Sequence, residues 1–369
     1  MRRLTIVQLL PALHSGGVER STLEIAAALV AAGHRSVVVS AGGRLVPSLL
    51  DSGSEHVPLP IGRKSLAAPA VMYRLRAELA ALQPDIVHAR SRLPAWLGLL
   101  ALRGLAAPRP RFVTTVHGLN SPGRYSGVMC RGERVICVSE SVRAHVLAQW
   151  PHTDPGKLTV VPRGLDPAQF PRGHAPSASW RAQFANDHPG LQGGRLLLMP
   201  GRGTRLKGHA VAIELLAELR AAGHDLRLWL LGTREPGREA YVLELEARAR
   251  ALGVLAALAI SPPRSDVVDA YAASDLVLQL SGQPEAFGRT VLEALSVGRP
   301  VLGWDRGGVG ELLQRLYPAG AVAPDDRTAL RTAALALLSA PPPMPVTIPY
   351  TLAAMQSATL ELYGSLAAN

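Results

Sequence analysis

Three stretches of the 369-residue chain predict an α/β protein made of two doubly wound, parallel-sheet halves. Residues 4–40 read as strand, glycine turn, helix and strand, and residues 195–231 repeat that order. Residues 281–312 add a loop, a helix, a strand and a second glycine turn, Gly307-Gly308-Val309-Gly310. That order is half of a nucleotide-binding fold, with its ligand at strand C-ends and helix N-termini. The length suits two domains of ordinary size. A content of 48% hydrophobic and 18% charged residues suits large cores and excludes a disordered chain.

In chain order, residues 4–10 form the first strand, with β-branched residues at its centre. The basic, apolar start imitates a leader peptide, but it runs straight into Pro11 without a small-x-small cleavage pattern. Residues 21–32 place apolar side chains at 23, 25, 26, 29 and 30, a helical period stopped by Gly33. Residues 35–40 form the second strand. Between the two strands, Gly16-Gly17 lets backbone amides and the helix N-terminus approach a phosphate. Residues 84–90 form a buried strand ending in a polar cluster of His88, Arg90 and Arg92, and residues 95–102 are helical. The strand 111–118 has His117 at its C-terminal mouth, where α/β sites are built. Residues 134–140 supply a further strand and a turn bearing Ser139. Residues 171–194, rich in Pro, Gly, His and Ser, read as a linker.

The second half opens on a strand and a loop carrying Arg202 and Lys207, spaced R-x4-K. Two cations near a strand end suit a diphosphate, the arginine by forked hydrogen bonds and the lysine as a point charge. A helix over 209–222, a strand over 226–231, a helix around 265–273 and a strand over 276–280 follow. Glu285 then lies in a loop with Pro284 and Gly288, and Glu293 stands two turns along a helix with Val291, Leu292 and Leu295. Such carboxylates can hold two hydroxyl pairs of one extended ligand, for instance a sugar joined to a ribose by a diphosphate. Spacing alone equally allows a Glu285 that caps the helix and a Glu293 that is merely solvated. A helix after Glu311, a helix over 328–339, a Pro-rich break at 341–348 and a final helix at about 350–366 complete the chain.

The stretch Glu285-Ala286-Phe287-Gly288-Arg-Thr-Val-Leu-Glu293, followed by a small-Gly-x-Pro-Val strand and a Gly-Gly turn, resembles the E-x7-E signature of retaining glycosyltransferases of the GT-B fold, family-4 type. Gly16-Gly17-Val18-Glu19 matches the family's Gly-Gly-x-Glu, His117 its Thr-x-His-Gly-like setting, and Ser139 its Val-Ser-Glu/Lys-Ser turn. Arg163 stands where members usually carry the asparagine of Pro-Asn-Gly-x-Asp; an arginine facing the cleft could hold a phosphate. The resemblance implies two facing Rossmann-like domains with a central cleft. Residues 1–168 would bind the acceptor, with the helix at 350–369 packed back on them, and residues 190–345 would bind the nucleotide sugar. It further implies that Glu293 holds the ribose and that Glu285, with the amides of Ala286, Phe287 and Gly288, holds the donor sugar. The leaving diphosphate would be supported by Arg202, Lys207 and the amides near Gly16 and Gly17, with His117 orienting the sugar or stabilising positive charge. Catalytic roles thus fall on His117, Arg202, Lys207 and Glu285, while Arg90, Ser139 and Arg163 are further cleft candidates.

The reaction so implied moves a hexose from a nucleoside-diphosphate sugar to a hydroxyl of a glycolipid or glycan, with retention at the anomeric carbon. The segments Ser91–Trp96 and Thr115–Asn120 look most like bacterial enzymes of lipopolysaccharide or related surface-glycan assembly. No Asp-x-Asp occurs, which disfavours a metal-bridged diphosphate, so neither metal nor cofactor is expected. Two rivals remain: a nucleotide-sugar 2-epimerase of the same fold, and a dinucleotide oxidoreductase or plain nucleotide-binding module. The missing third glycine of G-x-G-x-x-G weakens the latter.

Charge adds a partner. Residues 1–165 hold 20 Lys+Arg and 9 Asp+Glu, whereas residues 166–369 hold 19 of each, so the whole net charge of +11 lies in the first half. A one-sided basic field favours an anionic membrane surface or a phosphorylated acceptor. The basic candidates are Arg63, Lys64, Arg74, Arg76, Arg103, Arg109 and Arg111. Nucleic acid is not expected, since the chain shows no aromatic platform or reading motif. No apolar run reaches the roughly 18–20 residues of a membrane helix. Cys130 and Cys137 are too few for a disulfide framework. The expected place is therefore the cytoplasm, peripheral to the inner face of the plasma membrane.

Overall fold

The computed structural model describes residues 2–14 and 16–368. It divides into two compact units: Met1–Gly164 with Leu352–Asn369, and Leu165–Thr351.

The first unit holds a parallel sheet of β1 (Thr5–Leu9), β2 (Arg35–Ser40), β3 (Glu55–Pro58), β4 (Ile86–Ala89), β5 (Arg111–Val116), β6 (Arg134–Cys137) and β7 (Leu158–Val160). Its strand order is β3-β2-β1-β4-β5-β6-β7. The second unit holds β8 (Arg195–Pro200), β9 (Leu226–Leu231), β10 (Leu258–Ser261), β11 (Leu276–Gln279), β12 (Val301–Trp304) and β13 (Ala321–Val322), in the order β10-β9-β8-β11-β12-β13. Near-continuous apolar runs build these strands because helices cover both faces of a parallel sheet. Val37, Val38 and Val39 are all fully buried, as are Leu228, Trp229 and Leu230.

In both sheets the strand order reverses once, between β1 and β4 and between β8 and β11. Chains leaving the C-ends of two such strands diverge to opposite faces and leave a crevice, which is where doubly wound sheets bind ligands. The Gly16-Gly17 turn follows β1, and Arg90 follows β4. The Arg202–Lys207 loop follows β8, and the Ser281–Gly288 loop follows β11.

Helices α1 (Gly17–Ala31), α2 (Val46–Asp51), α3 (Ala68–Leu82), α4 (Arg92–Arg103) and α5 (Glu140–Gln149) belong to the first unit. The second contains α6 (Ala178–Asp187), α7 (His209–Ala221), α8 (Glu239–Ala251), α9 (Val267–Ala273), α10 (Arg289–Val297), α11 (Gly307–Leu316) and α12 (Arg327–Ser339). The last helix, α13 (Leu352–Ala368), sets Met355, Leu362, Tyr363 and Leu366 into the first unit's core beside Ile6, Ile25 and Ile86. A hydrogen bond of 2.5 Å between Tyr363 Oη and His88 Nδ1 and another of 2.8 Å from Gln356 Nε2 to the Glu24 carbonyl hold it there.

Several elements depart from the sequence reading. The stretch read as a linker contains α6, because Trp180 and Phe184, one turn apart, stack at 5.1 Å and Phe184 packs on the buried Trp229. The second glycine turn is instead the first turn of α11. Helix α1 begins at Gly17, four residues earlier than the apolar period indicates. The elements α2, β3, α3, β7, α8, β10 and β13 have no counterpart in the sequence reading. Strand β10 lies in an alanine- and leucine-rich run whose composition does not separate strand from helix.

Candidate active site

In the second unit, the loop after β8 is drawn onto the end of β11 by Gly208. This residue has a left-handed φ of 83°, and a Cβ there would lie 1.9 Å from the Leu280 carbonyl oxygen. Only glycine meets both demands. The Gly282 amide then donates to the Leu206 carbonyl at 2.8 Å, locking the two loops together. That contact brings Lys207 to Glu285: Nζ lies 2.7 Å from Oε1, and the side chains are 26% and 24% exposed. Ser281 Oγ donates to the same carboxylate oxygen. A pair this open contributes at most about 1 kcal/mol, so an incoming anion can displace it at little cost.

The other wall is the N-terminus of α11. Gly307 has φ 58°, and Cβ atoms at Gly307 and Gly308 would strike Glu285 O at 2.6 Å and Phe287 Cα at 2.5 Å. Their absence lets the Gly308 amide donate to the Glu285 carbonyl at 2.7 Å. Arg306 closes the rim, donating to the Gly282 carbonyl at 2.5 Å and to Asp325 at 2.6 Å. Gly288 is the N-cap of α10 with φ 110°, so Glu285 is not the capping group. Glu293 is more than a solvated acid: it is half-buried and accepts a hydrogen bond of 2.8 Å from the buried Tyr271 hydroxyl. Ala286 is half-buried, and Phe287, 5% exposed, packs edge-on against Tyr350. Arg202 is exposed, and its guanidinium makes no hydrogen bond or ion pair among the described residues. The structure therefore joins Lys207, Glu285 and Ser281 and leaves Arg202 and Glu293 apart from that cluster. Ser281, Arg306, Gly208 and Tyr271 were missed in the sequence. Ser281, four residues before Glu285, was within reach of a motif argument, but Tyr271 meets Glu293 across two elements and leaves no local signal.

In the first unit, Gly16 is the N-cap of α1, with φ 137°. The Gly17 carbonyl accepts from Arg163 Nη1, and Arg163 Nη2 donates to His117 Nδ1 at 2.9 Å. A guanidinium has no acceptor, so this bond places the ring proton of a neutral His117 on Nε2. Burial pushes the His117 pKa well below the usual range, and the charges of Arg163 and Arg90 push it further. The Nε2 atom is buried, although an edge of the residue reaches the surface. His117 thus offers no ring nitrogen to solvent. The three further cleft candidates are all buried in this structure. Arg163, 7% exposed, is spent on Gly17 and His117 and does not stand out as a phosphate ligand. Arg90, 3% exposed, donates to Gln8 Oε1 at 2.7 Å because it turns inward from the end of β4. Ser139, 1% exposed, caps α5 by accepting from the Val142 amide.

Residues 15–169 match the family described as Glycosyltransferase Family 4, and residues 182–348 match Glycosyl transferases group 1. A solved glycosyltransferase from Rickettsia africae ESF-5 superposes with a TM-score of 0.81 at 25% identity, covering 99% of both chains. An Anabaena protein, HepE, solved in complex with UDP-glucose, superposes at 0.77 and 19% identity over 98% of this chain and 100% of that one. A D-inositol 3-phosphate glycosyltransferase of Rhodococcus erythropolis is 31% identical over 191 residues, which is 50% of this chain and 40% of that relative. This match therefore spans less than half of that relative's length. Two matched modules that together take in most of the chain, on two parallel sheets of the same architecture, make this protein a member of the GT-B glycosyltransferases.

Proposed function

We propose that the protein transfers a hexosyl group from a nucleoside-diphosphate sugar to a hydroxyl of a glycolipid or surface-glycan acceptor, with retention of anomeric configuration. The observation that carries this reading is the cluster of Lys207, Glu285 and Ser281 at the second sheet's switch point, with Glu293 eight residues along. Lys207 and Arg202 meet the diphosphate, Glu285 and the amides of Ala286, Phe287 and Gly288 meet the sugar, and Glu293 meets the ribose. The bond from the anomeric carbon to the diphosphate breaks as the acceptor oxygen bonds on the same face, and the acceptor proton passes to the leaving phosphate. The cations lower the barrier because charge on that phosphate grows toward the transition state. His117 enters as a positioning group that holds the Gly17 turn through Arg163.

UDP-glucose in the HepE structure supports a hexose donor, and the inositol-phosphate acceptor named for the Rhodococcus relative supports an anionic acceptor. With the leaving charge met by Lys207 and Arg202, turnover needs no metal and should survive a chelator. A thermal-shift screen of UDP-, GDP- and ADP-sugars, followed by NMR of the product anomer, tests the proposal. An inverted product refutes retention, and no stabilisation by any of the three refutes the donor class.

The acceptor reading includes attachment to an anionic membrane at the cytoplasmic face. Among the described residues no helix is long and apolar enough to cross a membrane. Arg63, Lys64, Arg74, Arg103 and Arg109 are exposed, alongside exposed Leu66, Tyr73 and Leu100. Arg111 leaves the basic set, paired with Glu133, and Arg76 is half-buried with its Nε on the Ala101 carbonyl. Each exposed basic group near an anionic surface adds about 1 kcal/mol, so a few give reversible attachment. Sedimentation should show binding to anionic vesicles that falls as salt rises, and equal pelleting on neutral ones would remove the membrane from the proposal.

A further inference from the structure

The first unit contains a small cavity of about 20 Å³ whose lining includes His88, Arg90, Thr115, His117 and Arg163. Space for a water-sized particle needs about 10–15 Å³, so this cavity takes one small particle, a water or a single monatomic ion. The rest of its lining is the hydroxyl-bearing Ser21 and Thr359 and apolar side chains such as Ile25 and Met355. Arg90 donates through Nε to the Gln8 amide oxygen at 2.7 Å and through Nη1 to Ser21 Oγ at 3.4 Å, both neutral acceptors. Its Nη2 is buried and has no hydrogen-bond partner, and the same holds for His117 Nε2. The Arg163 bond to Nδ1 makes that Nε2 a donor. Two donor groups from different strand ends, one of them on a guanidinium, thus border the same small space.

We propose that this cavity is a binding site for a single monovalent anion of halide size, held between the Arg90 guanidinium and the His117 N–H. A water molecule would answer both donors but leave the charge of Arg90 uncompensated. Buried charges in proteins are paired, because an isolated ion away from water carries a large desolvation penalty. Of the groups that act on Arg90, the Tyr363 hydroxyl comes first, neutral with its pKa pushed up to about 12, and the carboxylate of Glu24 second, its oxygen engaged by Arg20 at 3.1 Å. Arg163 adds a second positive charge beside His117. A halide satisfies the donors and the charge together. Bound there, it would tie the ends of β4 and β5 and, through His117 and Arg163, stiffen the Gly17 turn.

Bromide is the probe. Crystals grown in sodium bromide should show an anomalous peak within hydrogen-bond reach of Arg90 Nη2 and His117 Nε2. In solution at constant ionic strength, replacing gluconate by bromide or chloride should raise the unfolding temperature by a few degrees and saturate. Sulfate, too large for the cavity, should give no saturable rise. Arg90→Gln, which keeps a polar side chain and removes the charge, should lose both the peak and the saturable shift. A water peak alone, a bromide peak of equal height in Arg90→Gln, or a peak without a saturable shift (an adventitious ion only) would each overturn the proposal. Should Arg90→Gln fail to fold, the wild-type peak and the halide-against-sulfate comparison decide by themselves.

Discussion

Both units put basic side chains at the reversal of strand order, yet they use them in opposite ways. In the second unit Lys207 and Glu285 form an ion pair that is about one quarter exposed, and Arg202, earlier in the same loop, is exposed. In the first unit Arg90 and Arg163 are more than nine-tenths buried, bonded to an amide oxygen, a backbone carbonyl and an imidazole. The difference lies in the loops. After β8 the chain stays outside, folded over the end of β11 by Gly208, whereas Arg90 turns back between β1 and α1 toward Gln8 and Ser21. A cation that water reaches can exchange its partner for a ligand. A sealed one organises the backbone around it.

The largest effect that would break this contrast is on turnover. Lys207→Ala or Arg202→Ala should lower kcat by about a hundredfold or more, since in the proposed mechanism each removes charge that acts on the leaving group. Unfolding should barely change, because an open ion pair contributes little. Near-normal kcat in both variants would remove the second unit from the diphosphate's path. Next comes Gly208→Ala, where strain at φ 83° and the Leu280 carbonyl together should cost about 2–3 kcal/mol of stability in denaturant unfolding. An unchanged midpoint would show that the loop is not drawn in as described.

Acid should expose the sealed groups. His209 is fully buried between Thr233 and Tyr241; burial first, and then the charge of Lys207, pushes its pKa down to about 4. Above pH 6.5 the ring is neutral in both the folded and unfolded states and affects nothing. Between about pH 6.5 and 4 the unfolded chain takes up a proton that the folded one refuses. Stability should therefore fall by about 1.4 kcal/mol per pH unit from this residue alone. His88 and His117, depressed in the same direction, should steepen the fall. His209→Gln should flatten the slope, and an unchanged slope would mean that the ring is not sealed. The smallest effect separates the two glutamates. Glu293→Ala should weaken binding of the sugar-free nucleoside diphosphate by about tenfold, whereas Glu285→Ala should leave that binding nearly intact and depress sugar transfer. Calorimetry giving the reverse order would exchange their roles.

The two sheets were legible because parallel strands buried on both faces must be written as apolar runs. Strands such as Arg35–Ser40 and Leu226–Leu231 coincide with their runs residue for residue. Helix α6 was not legible, since Pro, Gly and Ser around it signal a loop and its stability comes from Trp229, some forty residues on. Likewise, glycines at 307, 308 and 310 look like a turn to any local rule. Only the loop at Glu285–Phe287, pressed against the first two, and Asp305, pressed against the third, explain why a helix there must start on glycine.

By itself the sequence determined the alternation of strands and helices, the residue types at the strand ends and the uneven charge, because these depend on local pattern and composition. The tertiary structure decided which of those residues meet. Lys207 and Glu285 are 78 positions apart, and Arg163 and His117 are 46 apart. Whether a cation faces water or the core depends on how closely distant backbone segments approach, and that distance is set by packing rather than by spacing along the chain.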